Sequence, residues 1–171
     1  MKKNKNRPRE KTQPKKQIEQ TVRELAKTEI EKLGYEIWDI EYYNDGTEWI
    51  LEITIENPSG ISISFEDCEN VTRAIGPIID QADPIENSYC LAVGSPGLNR
   101  ELKNAGHLKK YIGKKVTVKL FAKNETINGK IFEAELKEIG GAEKDFVFEL
   151  AETESFAIAK KEIAHIYAID V

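Results

Sequence analysis

The stretch LAVGSPG at residues 91–97 decides how this chain of 171 residues is organised. Its first part alternates apolar and small side chains around Leu91 and Val93, which is typical of a half-buried strand. Its second part, residues 94–97, combines two glycines with a serine and a proline, a composition that strand and helix interiors do not tolerate. The chain is therefore predicted to divide here into two domains. The predicted segments are a disordered basic tail at 1–16, an N-terminal domain at 17–94, an interdomain loop at 95–102 and a C-terminal domain at 103–171.

Upstream of this stretch, the hydrophobic pattern begins as a helix and continues as a hairpin. Apolar residues first recur at helical spacing, and Gly34 follows where a helix C-cap is expected. Those apolar positions are Ile18, Val22, Leu25, Ala26, Ile30 and Leu33. Residues 38–42 and 49–55 then alternate apolar and polar side chains around Asn-Asp-Gly at 44–46. This pattern predicts two strands joined by a tight turn, with Trp38 on the apolar face and acidic residues on the other face.

A second helix is predicted after the hairpin. Ser64 and Asp67 are three residues apart, which is the spacing of a capping box that opens a helix. The apolar stripe that follows consists of Phe65, Cys68, Val71, Thr72, Ile75 and Ile79. Gly76 followed by Pro77 is expected to kink or end this helix, because proline donates no backbone hydrogen bond. The order helix, strand, strand, helix, strand predicts a two-layer α/β domain (αββαβ) whose helices cover one sheet face.

The C-terminal half has a different pattern. A short helical segment is predicted at 107–111, and only short strand candidates follow it. These candidates are residues 114–122, 126–138, 145–150, 155–160 and 164–170. Five short strands joined by polar or glycine-containing turns predict a small closed or half-closed β-barrel. The whole chain is thus expected to belong to the α+β class.

The net charge of −5 conceals four blocks of opposite sign. Residues 1–16 carry +7, residues 17–97 carry −13, residues 98–131 carry +7 and residues 132–171 carry −6. The acidic block repels a nucleic-acid backbone, whereas both basic blocks attract one. The alternative is that such blocks only keep a small protein soluble.

Side chains that perform chemistry are few and poorly placed for catalysis or metal binding. His107 and His165 are the only histidines, and neither has a second ligand at a metal-binding spacing. His165 is expected to be solvent-facing or hydrogen-bonded. Cys68 and Cys90 are expected to pack as small hydrophobic residues. Ser95 lacks a Gly-x-Ser-x-Gly elbow, and the proline after it removes an N–H that an oxyanion hole needs. The chain is predicted to be neither an enzyme nor a cofactor-binding or metal-binding protein.

The sequence also argues against membrane insertion and secretion. No apolar stretch approaches the roughly 20 residues that span a bilayer. The basic start at 1–16 is followed by a charged amphipathic segment instead of the apolar core of a signal peptide. The expected location is the cytoplasm.

Cationic and aromatic residues are interleaved between 98 and 131. Interleaving of this kind can track phosphates and stack on bases, with Tyr111 and Phe121 as the stacking groups. The lysines predicted to form a basic surface are Lys103, Lys109, Lys110, Lys114, Lys115 and Lys119. The alternative is that they are ordinary solvated residues, because the alternation at 115–120 is also typical of a half-exposed strand.

Several segments resemble the bacterial ribosome maturation factor RimP family, from about Ile18 onward. The segments are LGYEIWDIEY at 33–42, ISISFEDCENVTRAI at 61–75, GSPGLNRELK at 94–103 and HLKKYIGKKVTVKL at 107–120. The most specific is 94–103, where the family pattern is approximately Ser-Ser-Pro-Gly-Leu-Asp-Arg-Pro-Leu. The chain matches that pattern at Ser95, Pro96, Gly97, Leu98, Arg100 and Leu102. It departs at Gly94, Asn99 and Glu101, which affects the stiffness of the loop and one charge.

The resemblance implies a non-catalytic factor that assists maturation of the small (30S) ribosomal subunit. It implies an SH3-like barrel as the C-terminal domain, and it implies binding to the subunit precursor and to small-subunit ribosomal protein number twelve. On this hypothesis the acidic domain faces the basic ribosomal protein, while the basic block faces rRNA. The binding loop implied consists of Ser95, Pro96, Gly97, Leu98 and Arg100.

Three alternatives stay open at this point. Arg100 could contact a phosphate or a carboxylate of a partner, or it could bridge the two domains of its own chain. The glycines and proline of the loop could simply set a hinge. A general single-stranded RNA-binding module is the alternative function, with the basic tail and the two aromatic residues as its contacts.

Overall fold

The computed structural model describes residues 14–98, 100–150 and 155–169 of the chain. The chain forms two compact units, divided between Ser95 and Pro96. We refer to them as the N-terminal unit and the C-terminal unit. Within the part of the chain that the structure describes, no helix is both long and apolar enough to cross a membrane.

The N-terminal unit has the predicted element order. Its elements are α1 (Lys15–Lys32), β1 (Glu36–Asn44), β2 (Trp49–Glu56), α2 (Phe65–Ala82) and β3 (Tyr89–Gly94). α1 includes the last two residues of the tail predicted at 1–16, so the prediction of disorder is wrong for them. Lys15 Nζ lies 5.4 Å from the centroid of the Trp49 ring, and this contact helps to fix the first turn. The rest of that tail, residues 1–13, lies outside the described residues.

The sheet of the N-terminal unit is mixed, with the order β1-β2-β3. β1 and β2 are antiparallel, whereas β2 and β3 are parallel and are connected through α2. Both helices pack on one sheet face, as predicted, and enclose a single apolar core. The buried core residues are Ile18, Val22, Ala26, Ile30, Ile40, Tyr42, Leu51, Ile53, Ile55, Val71, Ile75, Ile79 and Ile85.

A β-bulge interrupts the pairing of β1 with β2 at Trp38. Ile37 is opposite Ile55, but Asp39 is already opposite Thr54, so Trp38 is the extra residue of the bulge. Ile37 packs against the core, whereas Trp38 is buried outside the core cluster. Trp38 is nevertheless buried like Ile40 and Tyr42, as the alternation predicted.

α2 differs from its prediction at both ends. It continues through Pro77 to Ala82 instead of ending at Gly76. Proline has no N–H, so Pro77 cannot donate a hydrogen bond to the Arg73 carbonyl. Because Pro77 lies on the exposed side of the helix, solvent can hydrogen-bond to this carbonyl instead. At the start of the helix, Phe65 exposes 80% of its surface and is not part of the buried stripe.

The predicted capping box at the start of α2 is present and extends to β1. The Asp67 carboxylate accepts hydrogen bonds from the Ser64 N–H and O–H, both at 2.8 Å, and from the Tyr35 O–H at 2.6 Å. These bonds, that from Tyr35 first, lower the pKa of Asp67 below its ordinary value. The cap therefore also attaches the helix to the chain that leads into β1.

The C-terminal unit contains the short helix and the five strands that were predicted. Its elements are α3 (Ala105–Lys110), β4 (Lys115–Asn124), β5 (Gly129–Ile139), β6 (Asp145–Glu149), β7 (Ser155–Ala159) and β8 (Ile163–Ala168). The strands form one antiparallel sheet in the order β7-β6-β5-β4-β8. The two units together make an α+β protein, as expected, while closure of the second sheet into a barrel stays a prediction.

The inward face of this sheet is apolar and aromatic. Phe146 and Phe148 are completely buried, and the rings of Phe132, Phe148 and Phe156 lie within 6.2 Å of one another, centroid to centroid. The other buried residues of the sheet are Val116, Val118, Leu120, Ala134, Leu136, Ile158, Ile166 and Ala168. Because side chains alternate along a strand, the residues between these positions face outward.

Candidate functional site

The loop predicted to bind a partner is exposed at its centre. Ser95 and Gly97 are exposed, Pro96 is half-buried, and Leu98 exposes 78% of its surface. Gly97 has a φ of +72°, a left-handed conformation that is costly for residues with a Cβ atom, so this turn depends on glycine. Leu98 is therefore an apolar side chain that a partner can reach.

The segment after the loop is fixed to the C-terminal unit. The Arg100 carbonyl accepts a hydrogen bond from the Ala168 N–H, and the Leu102 N–H donates to the Ile166 carbonyl, both at 2.8 Å. Leu102 is buried and Arg100 is half-buried. The end of the segment predicted as a loop at 95–102 thus pairs with β8, and this pairing fixes the position of Arg100.

Glu101 adds a side-chain contact that sequence reasoning did not find. Its backbone forms an isolated antiparallel bridge with Tyr167, and its Oε1 lies 2.5 Å from Nδ1 of His165. Glu101 and His165 are 64 positions apart, so no local pattern indicates the pair. His165 is exposed and its ring stacks on that of Tyr167, with centroids 5.8 Å apart. Its imidazole is both solvent-facing and hydrogen-bonded, as predicted.

His107, by contrast, is buried at the start of α3. Asn104 caps this helix, because its Oδ1 accepts a hydrogen bond from the His107 N–H at 3.0 Å. His107 Nδ1 in turn accepts from the Lys103 N–H at 3.2 Å. The imidazole therefore stabilises the turn that carries Lys103 into α3.

The six lysines predicted to form a basic surface are all exposed. They are Lys103, Lys109, Lys110, Lys114, Lys115 and Lys119. Three lie in or next to α3, and three lie in or next to β4. Lys114 Nζ lies 4.9 Å from the centroid of the Tyr111 ring. Tyr111 exposes only 4% of its surface, so the expectation that it stacks on a base is wrong: its ring is packed inside the unit.

Strand pairing determines the neighbours of the lysines on β4. Lys119 is opposite Ile131 on β5 and opposite His165 on β8. Lys115 is opposite Glu135 on β5. The cationic side chains of this outer face therefore lie along β4.

Acidic residues begin on the β5 side of the same sheet. Lys137 Nζ contacts the Glu135 carboxylate at 2.8 Å and the Glu149 carboxylate at 2.7 Å. Hydrogen bonds to these carboxylates, Glu135 first, raise the pKa of Lys137. The positive charge of Lys137 is therefore compensated by the two carboxylates, and the basic surface ends at β5 and β6.

The outer sheet face of the N-terminal unit is acidic. Glu41 is exposed and Glu52 is half-buried on neighbouring strands, directly opposite each other. The Tyr43 O–H donates to Glu52 Oε2 at 3.1 Å, and this bond raises the pKa of Tyr43 because it favours the neutral phenol. Elsewhere on this unit, an open cavity of about 430 Å³ is lined by Asp80, Asp83, Ile85, Glu86, Asn87, Ser88 and Tyr89.

The cysteines occupy different environments. Cys68 is half-buried, and desolvation by burial, followed by the charge of Asp67, raises the pKa of its thiol. Cys90 is exposed, so the expectation that it packs as a small hydrophobic residue is wrong, because it lies on the outer face of β3. Within residues 14–98, 100–150 and 155–169, no group of three or more His, Cys, Asp or Glu side chains is placed to hold a metal ion.

A family model described as the RimP N-terminal domain matches residues 25–99 of the chain. The match begins within α1, includes the whole sheet of the N-terminal unit and ends in the exposed loop. The N-terminal unit is therefore a RimP N-terminal domain. This match agrees with the resemblance to the RimP family of ribosome maturation factors that the sequence indicated. Members of the RimP family generally act in ribosome maturation.

Proposed function

We propose that this chain is a non-catalytic assembly factor for the small (30S) ribosomal subunit and acts in the cytoplasm. It binds the precursor of the subunit, including its rRNA, and it binds small-subunit ribosomal protein number twelve. The RimP N-terminal domain at residues 25–99 is the observation that carries this proposal. The factor acts by transient binding that holds a protein or an rRNA segment in a competent arrangement, and no covalent bond is made or broken.

The distribution of charge supports a division of labour between the two units. The outer sheet face with Glu41 and Glu52 and the cavity with Asp80 and Asp83 present carboxylates to a partner. Ribosomal proteins are expected to be basic, so this unit suits the protein partner. The exposed lysines of the C-terminal unit suit the rRNA backbone, because neutralising phosphates releases counterions and drives binding.

We assign the C-terminal unit to the SH3-like barrels as part of this proposal. The order β7-β6-β5-β4-β8 places the last strand of the unit beside its first strand. A 3₁₀ turn at Lys160–Glu162 connects β7 to β8. Small antiparallel barrels form when a strongly curled sheet brings its first and last strands together as a pair.

We assign the exposed loop at residues 95–98 to partner binding. It precedes the segment at residues 100–102 that pairs with β8. Ser95, Gly97 and Leu98 are exposed, and the main chain of Arg100 is fixed by its hydrogen bond with Ala168. A guanidinium on a fixed backbone is suited to a phosphate or a carboxylate, since it can donate two parallel hydrogen bonds.

Sedimentation in a density gradient tests the proposal. The wild-type chain is expected to comigrate with free small subunits and to be absent from translating ribosomes. Reversal of four exposed lysines is expected to weaken binding at least tenfold and to flatten its dependence on salt, because phosphate contacts are lost. The variant carries Lys109→Glu, Lys110→Glu, Lys114→Glu and Lys115→Glu.

A matched control makes the same change of charge elsewhere. It reverses the four cations of the acidic block, with Arg23→Glu, Lys27→Glu, Lys32→Glu and Arg73→Glu. We expect the control to retain subunit binding far better than the lysine variant, with both folded by circular dichroism. The proposal fails if the wild type does not comigrate with small subunits. Its basic-surface part fails if the two variants behave alike.

The alternative function is a general single-stranded RNA-binding module. The exposed ring of Phe121 favours it, whereas the burial of Tyr111 removes one of its two predicted stacking groups. Recovery of total RNA without enrichment of small-subunit rRNA in a pull-down would favour this alternative.

A further inference from the structure

β8 and β4 of the C-terminal unit present ring and cationic side chains on the same outer surface as Ile131 of β5. The pairing of β8, β4 and β5 aligns His165, Lys119 and Ile131 in one row across the sheet. The next row contains Tyr167 and Thr117, followed by Glu133 on β5. Val116, Val118 and Leu120 point into the core, so Lys119 and its neighbours in these rows face outward.

Phe121 extends this surface beyond Lys119 along β4. It exposes 67% of its surface, and Ile131 exposes 62%. Phe121 also lines an open cavity of about 370 Å³ together with Lys123 and Lys161. The other residues of the cavity are Leu120, Ala122, Asn124 and Glu162. Phe121 contributes little to the fold, because about two-thirds of its surface is left in water.

Acidic side chains limit the surface on its sides. Glu101 is bound to His165 at the β8 edge, and Glu133 and Glu135 lie on β5. Glu162 lies at the cavity, where Lys123 and Lys161 outnumber it. The path on which cations prevail therefore follows β4, from Lys119 past Phe121 to the cavity.

We infer that this surface binds a single-stranded segment of RNA. We call it the β4 stacking site and define it by Lys119, Phe121, Lys123, Ile131 and Lys161. A base stacks on the Phe121 ring, and the flanking phosphates contact the three lysines. Aromatic rings beside cations bind single strands in this way, since every base has a flat face and every nucleotide a charge.

The geometry favours a single strand over other polyanions. A base inside a duplex is already stacked on both faces, so it cannot cover the Phe121 ring without being unpaired. An acidic peptide would satisfy the lysines but would leave the exposed ring of Phe121 without a flat partner. The inference rests on the proposed function, because the natural ligand would be an unpaired region of small-subunit rRNA.

Fluorescence anisotropy with the full chain tests the site. The probe is a labelled single-stranded RNA of mixed sequence, about 10 nucleotides long. Phe121→Ala is expected to weaken its binding by about 5-fold to 150-fold, the range that corresponds to the loss of stacking on one aromatic residue. Phe121→Trp is expected to keep the wild-type affinity within about 3-fold, because the larger ring still stacks.

Phe65→Ala is the matched control, since Phe65 is a phenylalanine on the acidic N-terminal unit that is even more exposed than Phe121. It is expected to leave RNA affinity unchanged. Lys119→Gln together with Lys123→Gln should reduce the slope of log affinity against log salt by about 1.4, because each phosphate contact to a single strand contributes about 0.7. A duplex of the same sequence should bind more weakly than the single strand.

The outcomes separate this inference from the proposed function. If the wild type comigrates with small subunits but Phe121→Ala and Phe65→Ala have equal RNA affinities, the β4 stacking site is wrong and the proposed function stands. Tighter binding of the duplex, or of an acidic peptide of equal charge, also overturns the site. If RNA binding depends on Phe121 but no comigration occurs, the site stands and the assembly role is wrong.

Discussion

The two units of this protein bury similar faces and expose opposite ones. Each contains a sheet whose inward side is apolar and well packed. The outward side of the first sheet presents Glu41 and Glu52, whereas that of the second presents Lys119 and Phe121. Folding requires only the buried side of a strand, so the exposed alternate positions are available to match a partner. The difference between the exposed faces of the two units therefore concerns recognition and not stability.

The largest effect is expected where a buried and an exposed phenylalanine of the second sheet are compared. Phe148 is completely buried, so Phe148→Ala should cost about 3–5 kcal/mol of unfolding free energy, since it leaves a cavity. Phe121→Ala should change it by less than about 0.5 kcal/mol. Urea denaturation followed by circular dichroism measures both. Equal losses would mean that Phe121 serves the fold and not a ligand.

A smaller effect is expected when the acidic face is made basic. Glu41→Lys with Glu52→Lys should raise the affinity of the full chain for single-stranded RNA several-fold at low salt, because two repulsive charges become attractive. Glu24→Lys with Glu31→Lys on α1 changes the net charge equally at another place. A gain from the α1 pair as large as that from the sheet pair would show that only net charge matters.

The cap of α2 should contribute less, and only to stability. Ser64 accepts a hydrogen bond from the Asp67 N–H, so Ser64→Ala should cost about 1 kcal/mol of unfolding free energy. Ser59→Ala in the preceding turn is the control, because only the backbone N–H of Ser59 makes the turn's hydrogen bond to Asn57. Thermal denaturation compares the two. Subunit binding should be the same for both variants.

The smallest effect is a dependence of stability on pH through Asp67. Its pKa is lowered in the folded state, chiefly by the Tyr35 O–H, so its ionised form stabilises the fold. That stabilisation is present above the ordinary pKa of 3.8 and is lost as the pH falls through the lowered folded value. Denaturation at pH 7 should show Asp67→Asn less stable than wild type, and the difference should shrink below pH 3.8. A difference independent of pH would contradict this assignment.

Local signals were enough to predict most of the elements. The Asn-Asp-Gly turn forms as expected, with Asn44 Oδ1 accepting from the Gly46 N–H at 2.8 Å. The capping box of Ser64 and Asp67 is present as well. The bulge at Trp38 could not be predicted, because it depends on the register with β2 and not on the residues of β1 alone.

The candidate site was predicted in composition but not in arrangement. The lysines and Phe121 follow from the sequence, yet the position of His165 beside Lys119 requires the last strand to pair with the first strand of the unit. Tyr111 was misassigned because an aromatic residue between lysines has the same sequence pattern whether it is exposed or buried. Whether Tyr111 is buried depends on residues that are distant in the chain, and local periodicity does not show which distant residues pack against it.

A strand at the border of a sheet offers free N–H and C=O groups to any other chain, which is a route to aggregation. β8 lies at such a border, but Arg100 and Leu102 already occupy the main-chain groups of Ala168 and Ile166. The polypeptide therefore shields its own final strand with the segment by which it enters the unit. Leu102→Pro would remove the donor to Ile166, and we expect that variant to self-associate through the uncovered border.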